Sequence, residues 1–252
     1  MITVLDAAAP SSVRVAATRA GLPLALRDIC VAFAETGRAP RVVLDVPAMD
    51  IAGGAQVAIC GPSGSGKTTL LNVLAGIERA QRGTVHWGAV DVGAMSSGAA
   101  DRWRRETLGL VFQQFHLFPG MSALDNVLLP LRFDRFAVAS ADAERARELL
   151  DRVGVADHAR VERLSRGEMQ RVAVARSLVK SPAIVLADEP TASLDRDTAG
   201  LVADLLCRLC REQHATLVVV THDAALAERL DRQFALGAPR AARTVDIAAS
   251  TS

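Results

Sequence analysis

One run of residues restricts the architecture of this chain more than any other. Gly61-Pro62-Ser63-Gly64-Ser65-Gly66-Lys67-Thr68-Thr69 satisfies G-x-x-x-x-G-K-[ST] at every fixed position. The pattern needs a buried strand before it and a helix after it. Gln56-Val57-Ala58-Ile59-Cys60 reads as the strand, and Leu70-Leu71-Asn72-Val73-Leu74-Ala75 as the opening of the helix. Glycines let backbone N–H groups turn inward on a phosphate, and the helix that follows points its positive dipole end at the same anion. Lys67 can reach the β- and γ-phosphates, and the Thr68 hydroxyl is a hard oxygen donor suited to magnesium. Lysine at 67 is a selective choice here, because of 29 cationic side chains only Lys67 and Lys180 are not arginine. A plain glycine-rich turn between strand and helix is the bland alternative, and so complete a match in this context argues against it.

Further apolar runs extend the pattern. Ile29 to Ala34, Arg41 to Val46 and Thr84 to Val92 suggest sheet strands. Leu108 to Phe112 leads into Gln113, Ala183 to Ala187 into Asp188-Glu189, and Leu217 to Val220 into Thr221-His222-Asp223. Continuous apolar runs of this length fit strands covered on both faces, as in a parallel sheet with helices on each side. Ligands of open α/β sheets bind at the carboxyl ends of the strands, so the loop at 61–68, Gln113, Asp188, Glu189 and His222 are expected to converge on one crevice. Between Gln113 and Ser165 the pattern turns helical, as in Ala141 to Val153. Asp188 is placed to hold magnesium beside Thr68, and Glu189 to take a proton from an attacking water. A strand-terminal Asp-Glu on its own would more often be a turn or a helix cap.

Composition excludes several classes. Net charge is +1, from 29 basic and 28 acidic groups without a long run of either sign, so nucleic acid is not an expected partner. No uncharged apolar stretch is long enough to span a bilayer and no signal peptide is evident, which places the chain in the cytosol. The four cysteines are expected to be reduced. Cys207 and Cys210 form a C-x-x-C with His214 nearby, but no second ligand pair accompanies them. A packed helix face is the expectation, not a metal or redox site.

Six ordered motifs together resemble one family, the ATP-binding cassette ATPases, which are the nucleotide-binding subunits of ABC transporters. The resemblance runs from about Leu24 to Leu236. Its marks are Gly61 to Thr69, Gln113 after Val111-Phe112, the signature segment Leu164-Ser165-Arg166-Gly167-Glu168, Ile184 to Glu189, Ser193-Leu194-Asp195, and His222. It implies an α/β phosphate-loop ATPase core with a mostly parallel sheet flanked by helices, an N-terminal antiparallel β subdomain and an inserted helical subdomain. The corresponding division is a variable leader at 1–23, core at 24–112 and 165–236, helical subdomain at 113–164, and a loose tail at 237–252. It also implies ATP and Mg²⁺ as cofactors, and a homodimer in which each ATP lies between one subunit's phosphate loop and the other's signature segment. In that scheme Glu189 is the catalytic base, His222 contacts the γ-phosphate, Gln113 senses magnesium and water, and Asp195 couples the two sites.

Three positions carry a second reading. Phe33 aligns with the residue that stacks on adenine, and could equally be a core strand residue. In the signature, Arg166 and Glu168 replace the family's usual glycine and glutamine. Ser165 and Glu168 also spell a capping box, so the segment is either a working signature with Arg166 offsetting the Glu168 charge, or simply a well-capped helix. Five of the seven phenylalanines fall between 112 and 136, either as a small core or as a groove that receives a short helix of a membrane permease. Val111 to Leu117 and Leu124 to Leu131 look most like the lipoprotein-releasing and macrolide-export branch. The implied function is ATP hydrolysis that drives a separate permease from the cytoplasmic face of the membrane, touching the membrane only through that permease. A non-transport role in cell-envelope or division machinery is the alternative. A ribosome- or DNA-acting cassette and a small-molecule kinase are less consistent with the motifs.

Overall fold

The computed structural model describes residues 20–34, 40–133 and 138–237. Two sheets organise it. Strands β1 (Leu24–Phe33), β2 (Arg41–Ile51), β4 (Arg82–Trp87) and β5 (Val90–Asp91) form an antiparallel sheet in the order β2-β1-β4-β5. Strands β3 (Gln56–Cys60), β6 (Leu108–Val111), β7 (Ile184–Asp188), β8 (Thr216–Thr221) and β9 (Arg232–Ala235) form a parallel sheet in the order β6-β7-β8-β3-β9. Of the expected leader at 1–23 and tail at 237–252, residues 1–19 and 238–252 lie outside the described residues.

Strand periodicity divides the core in two. Val57, Ile59, Ile184, Leu186, Val218 and Val220 point to one face of the parallel sheet, where they meet helix α1 (Lys67–Leu74) and the antiparallel sheet. The alternate residues Ala58, Val185, Ala187, Leu217 and Val219 point to the other face and a helical layer. That layer contains α3 (Ala123–Arg132), α4 (Ser140–Arg152), α5 (Arg166–Leu178) and α6 (Arg196–Glu212). Because both sets are buried, the strands read as unbroken apolar runs instead of alternating ones. The C-x-x-C falls on the buried face of α6 as expected, with Cys207 and Cys210 in this core and desolvation pushing both thiols up.

Several boundaries differ from the sequence reading. β1 begins at Leu24, ahead of the apolar run Ile29 to Ala34, because its first half alternates buried Leu24 and Leu26 with exposed Arg27. The single strand region expected over Thr84 to Val92 is a hairpin, turned at Gly88 with Trp87 paired to Val90. Helix α2 (Ser97–Thr107) and strand β9 carry little apolar periodicity and were not anticipated.

Trp87 joins the two sheets through α1. Its indole is fully buried, and its Nε1–H donates to the Leu74 carbonyl at 2.9 Å, satisfying an acceptor that the last turn of α1 leaves open. Arg104 of α2 donates to the carbonyls of Ala75 and Gly76 just beyond. Replacing Trp87 with Phe therefore removes packing and strands a buried carbonyl. Urea unfolding of Trp87→Phe should show a loss of about 1–3 kcal/mol, and Trp103→Phe, at a partly buried position, should lose less.

Candidate nucleotide site

β7, β8 and β3 are neighbours in register, with Asp188 opposite Val220 and Cys60 opposite Thr221. Their carboxyl ends therefore deliver three polar segments to one edge of the sheet. β3 delivers the loop Gly61–Gly66, which closes with a Ser65 N–H to Pro62 carbonyl bond at 3.2 Å. Gly66 caps α1 at φ 90°, and a side chain there would collide with the carbonyl of Val43 on β2. Only glycine meets both demands. The Ser65 hydroxyl is buried in the loop without a hydrogen-bond partner.

The Lys67 ammonium donates to the carbonyls of Gly61 at 2.8 Å and Pro62 at 3.1 Å, and lies 3.8 Å from Glu189 Oε1. One residue on, the Thr68 hydroxyl donates to Asp188 Oδ2 at 3.1 Å. Burial pushes the Asp188 carboxyl up, opposed by the Thr68 bond, with the neighbouring Glu189 charge acting in the same upward direction. These two hard oxygens, side by side next to a lysine, are a donor set suited to a magnesium ion on a polyphosphate.

Glu189 sits at φ 44°, a left-handed conformation uncommon outside glycine. Its N–H continues the ladder to the Val220 carbonyl at 2.9 Å. Its carboxylate accepts from the Thr221 hydroxyl at 3.1 Å and the His222 N–H at 3.3 Å, and meets His222 Nδ1 at 2.8 Å. Every hydrogen bond to this carboxylate among the described residues comes from the end of β8. Thr221 is a residue the sequence reading passed over; its place after an apolar strand was visible, but its partner lies on another strand.

Other expected residues occupy separate places. Phe33, at the end of β1, is 47% exposed, which excludes a core role for its ring. Gln113 is exposed beyond β6, and its carbonyl accepts from the Ser193 hydroxyl at 3.3 Å. Ser165 caps α5 through a full capping box: its hydroxyl and N–H both donate to Glu168 Oε2, at 2.7 and 2.8 Å. Those bonds, with a smaller contribution from Arg171, hold the Glu168 carboxyl below the usual range. Arg166 is exposed, and among the described residues no ion pair joins it to Glu168. Gly167 lies so close to the Thr198 side chain that any larger residue would clash, and the Thr198 N–H is in turn capped by Asp195 at 3.0 Å. The signature helix and the Asp195 helix thus start against each other. Among the described residues, no hydrogen bond or ion pair joins Ser165–Glu168 to the loop, Asp188, Glu189 or His222.

The aromatic cluster does not form a core. Phe112, Phe118 and Phe133 line an open groove of about 590 Å³ with Leu129 and Pro130 of α3, and Phe118 and Phe133 are among the most exposed large apolar residues. Phe136 lies outside the described residues.

A phosphate loop facing an Asp-Glu pair at the strand ends defines a nucleoside triphosphatase of the phosphate-loop class. Comparison with known proteins narrows this further. The family described as ABC transporter matches residues 44–192. The lipoprotein-releasing system ATP-binding protein LolD of Hydrogenovibrio crunogenus is 47% identical over 72% of this chain and 79% of its own length. LolD of Bordetella pertussis is 47% identical over 79% and 87%. The dimeric structure of the ABC transporter cassette MJ0796 superimposes with a TM-score of 0.76 at 35% identity, over 85% of this chain and 94% of that one. A post-hydrolysis structure of the same cassette, bound to ADP and Pi, matches equally well at 34% identity, over 86% of this chain and 97% of that one. The chain belongs to the ABC transporter family, as an ATP-binding and ATP-hydrolysing cassette.

Because Asp188 titrates above the ordinary aspartate range, its ionised form costs stability, and the cost grows as pH rises through its folded-state pKa. Asp188→Asn should melt higher than the native chain at pH 7 without nucleotide. The gain should be modest, since the carboxylate is only partly buried and solvent screens it. It should shrink as the pH falls toward the ordinary aspartate range. Calorimetric melting across pH checks both the sign and the window.

Proposed function

We propose that this chain binds MgATP on the loop Gly61–Thr69, closes head to tail on a second copy, and hydrolyses the nucleotide to drive a separate membrane permease of the lipoprotein-releasing type. The observation that carries this reading is the pairing of two carboxylates with two loop residues: Asp188 on Thr68 at 3.1 Å, and Glu189 within 3.8 Å of Lys67. One carboxylate is placed for a metal, the other for a proton.

The loop amides and Lys67 hold the phosphates, and Phe33 offers an exposed ring to the adenine. Thr68 and Asp188, with Gln113, hold magnesium, which supplies charge neutralisation on the phosphate oxygens. Glu189 takes the proton of the attacking water, held in orientation by Thr221 and His222. With Nδ1–H donating to Glu189, His222 donates to a γ-phosphate oxygen from Nε2 only as the imidazolium, in which both ring nitrogens carry a proton.

Ser165, Arg166, Gly167 and Glu168 of the second copy complete the site. Their separation from the loop within one chain supports this, as do the dimeric cassettes that this chain resembles. Glu168 already accepts both Ser165 donors, so the Ser165 hydroxyl must turn away from it to meet a phosphate, and the exposed Arg166 is then the cation available to offset the added charge. Asp195, whose helix start abuts Gly167, is placed to relay that contact. Two of the relatives it matches are LolD proteins of lipoprotein-releasing systems, and this favours the transport reading over a non-transport envelope role. No helix among the described residues is long and apolar enough to cross a membrane; in this reading the chain meets the bilayer through the permease, at its cytoplasmic face.

Glu189→Gln should keep ATP affinity, lower turnover by about 10²- to 10⁴-fold, and accumulate an ATP-bound dimer on size-exclusion chromatography. Normal turnover would remove Glu189 from its role. Lys67→Ala should weaken nucleotide binding itself in titration calorimetry.

A further inference from the structure

Arg166 opens α5 directly after its cap Ser165, and its side chain is exposed. Among the described residues its guanidinium makes no hydrogen bond and no ion pair. The acids nearest to it in the chain are engaged elsewhere: Glu162 accepts from the Gly120 N–H, and Glu168 from the Ser165 hydroxyl and N–H. Asp195, at the helix start that abuts Gly167, caps the Thr198 N–H. These bonds hold all three carboxyls below their usual range, so each is ionised at neutral pH, and still none draws the guanidinium in.

A cation at this position also works against its own helix, because a helix N-terminus carries partial positive charge and favours acids. Three α-helices among the described residues open on a cation: α1 on Lys67, α5 on Arg166 and α6 on Arg196. For two of them the nucleotide edge accounts for it. Lys67 is the lysine of the phosphate loop, and Arg196 lines a groove with Glu189 and His222. Arg166 has no such place inside its own subunit. A charge that opposes its helix and gains no partner there breaks a local rule, and breaks of that kind collect at functional sites.

We propose that Arg166 is an arginine finger supplied in trans: when two copies close head to tail, its guanidinium donates to the γ-phosphoryl oxygens of the ATP held on the other copy's loop. The inference rests on the head-to-tail reading above and deepens it, assigning Arg166 to the phosphoryl group itself. A guanidinium presents five N–H donors in a rigid fork that matches a phosphoryl group, whereas the glycine usual at this place in the family offers a backbone N–H alone. In the reaction the water oxygen bonds to the γ-phosphorus as the bond from phosphorus to the bridging oxygen breaks. The electron pair of that bond leaves on ADP, and the water proton passes to Glu189. Charge redistributes over the oxygens as this happens, and fixed donors that meet it there lower the barrier. Arg166 itself transfers no proton. The same contact counters the Glu168 carboxylate that a γ-phosphate approaches on reaching Ser165.

The test uses the full chain. Arg166→Gln removes the charge that opposes the helix dipole, so it should melt no lower than the native chain. It should keep the MgATP affinity of the separate subunit in titration calorimetry. Its kcat should fall by about 10²- to 10³-fold, at or below the low end of what arginine fingers supply elsewhere, because Ser165 and Gly167 remain. Arg166→Lys should recover part of that loss, and millimolar guanidinium ion should raise the turnover of Arg166→Ala but not of the native chain. In a Glu189→Gln background, Arg166→Gln should weaken MgATP-driven dimerisation at least ten-fold. Arg163→Gln, at an exposed arginine earlier in the same segment, should match the native chain throughout. Near-native turnover of Arg166→Gln, an equal loss in Arg163→Gln, or no response of Arg166→Ala to guanidinium would each overturn the proposal and leave the head-to-tail reading in place. If Glu189→Gln with Arg166 intact does not dimerise on MgATP, that reading falls and this inference with it.

Discussion

Adjacency and register of three parallel strands determine everything at the candidate site. With β7, β8 and β3 side by side, the residues that end them have no choice but to share one edge: Asp188 and Glu189, Thr221 and His222, and the loop from Gly61. A one-residue slip in any of the strands would send its apolar set to the wrong face and its terminal polar residue away from the others. Alternating burial prevents that slip. Ile184 and Leu186 are committed to the α1 side and Val185 and Ala187 to the α5–α6 side, so the core that stabilises the sheet also fixes the geometry of the site.

That arrangement concentrates cost where the chemistry is. A left-handed Glu189, a partly desolvated Asp188 beside it, and a Ser65 hydroxyl buried without a partner all occur within a few residues of Lys67. Strained backbone and raised carboxylates cluster at functional sites because the surrounding structure over-determines them. Here the β8 terminus supplies the restraint, with three contacts on the Glu189 carboxylate.

Much of this was legible in the amino-acid sequence, for physical reasons. The loop at 61–69 is a local pattern; the strand Gln56–Cys60 forms as read, and the helix read from Leu70 opens three residues earlier, at Lys67. β7 and β8 were equally plain because two-sided burial leaves nothing polar inside them. Helix α5 announced its start through the Ser165–Glu168 box. What escaped was either weakly patterned or non-local. Helix α2 buries only Ala100 and Thr107, so its apolar stripe is too thin to see, and β9 is a short edge strand without a buried residue. Thr221 on Glu189, Thr198 against Gly167 and Arg176 on the Phe115 carbonyl join segments that are far apart in sequence. No local pattern could disclose them.

Those non-local contacts also explain how one small chain can connect events at opposite ends of itself. α5 starts at the capped Ser165, presses Gly167 onto the start of α6, hydrogen-bonds the Pro190 carbonyl next to Glu189 through buried Gln170, and reaches the loop after Gln113 through Arg176. All of these contacts sit on one continuous helix of 13 residues. Gln170 is fully buried and its amide oxygen has no partner, so the bond from its amide nitrogen to Pro190 is the one hydrogen bond its side chain makes among the described residues. The residue next to Glu189 and the loop beyond Gln113 are thus tied to one helix, by a single hydrogen bond at Pro190 and by two at Phe115 and His116.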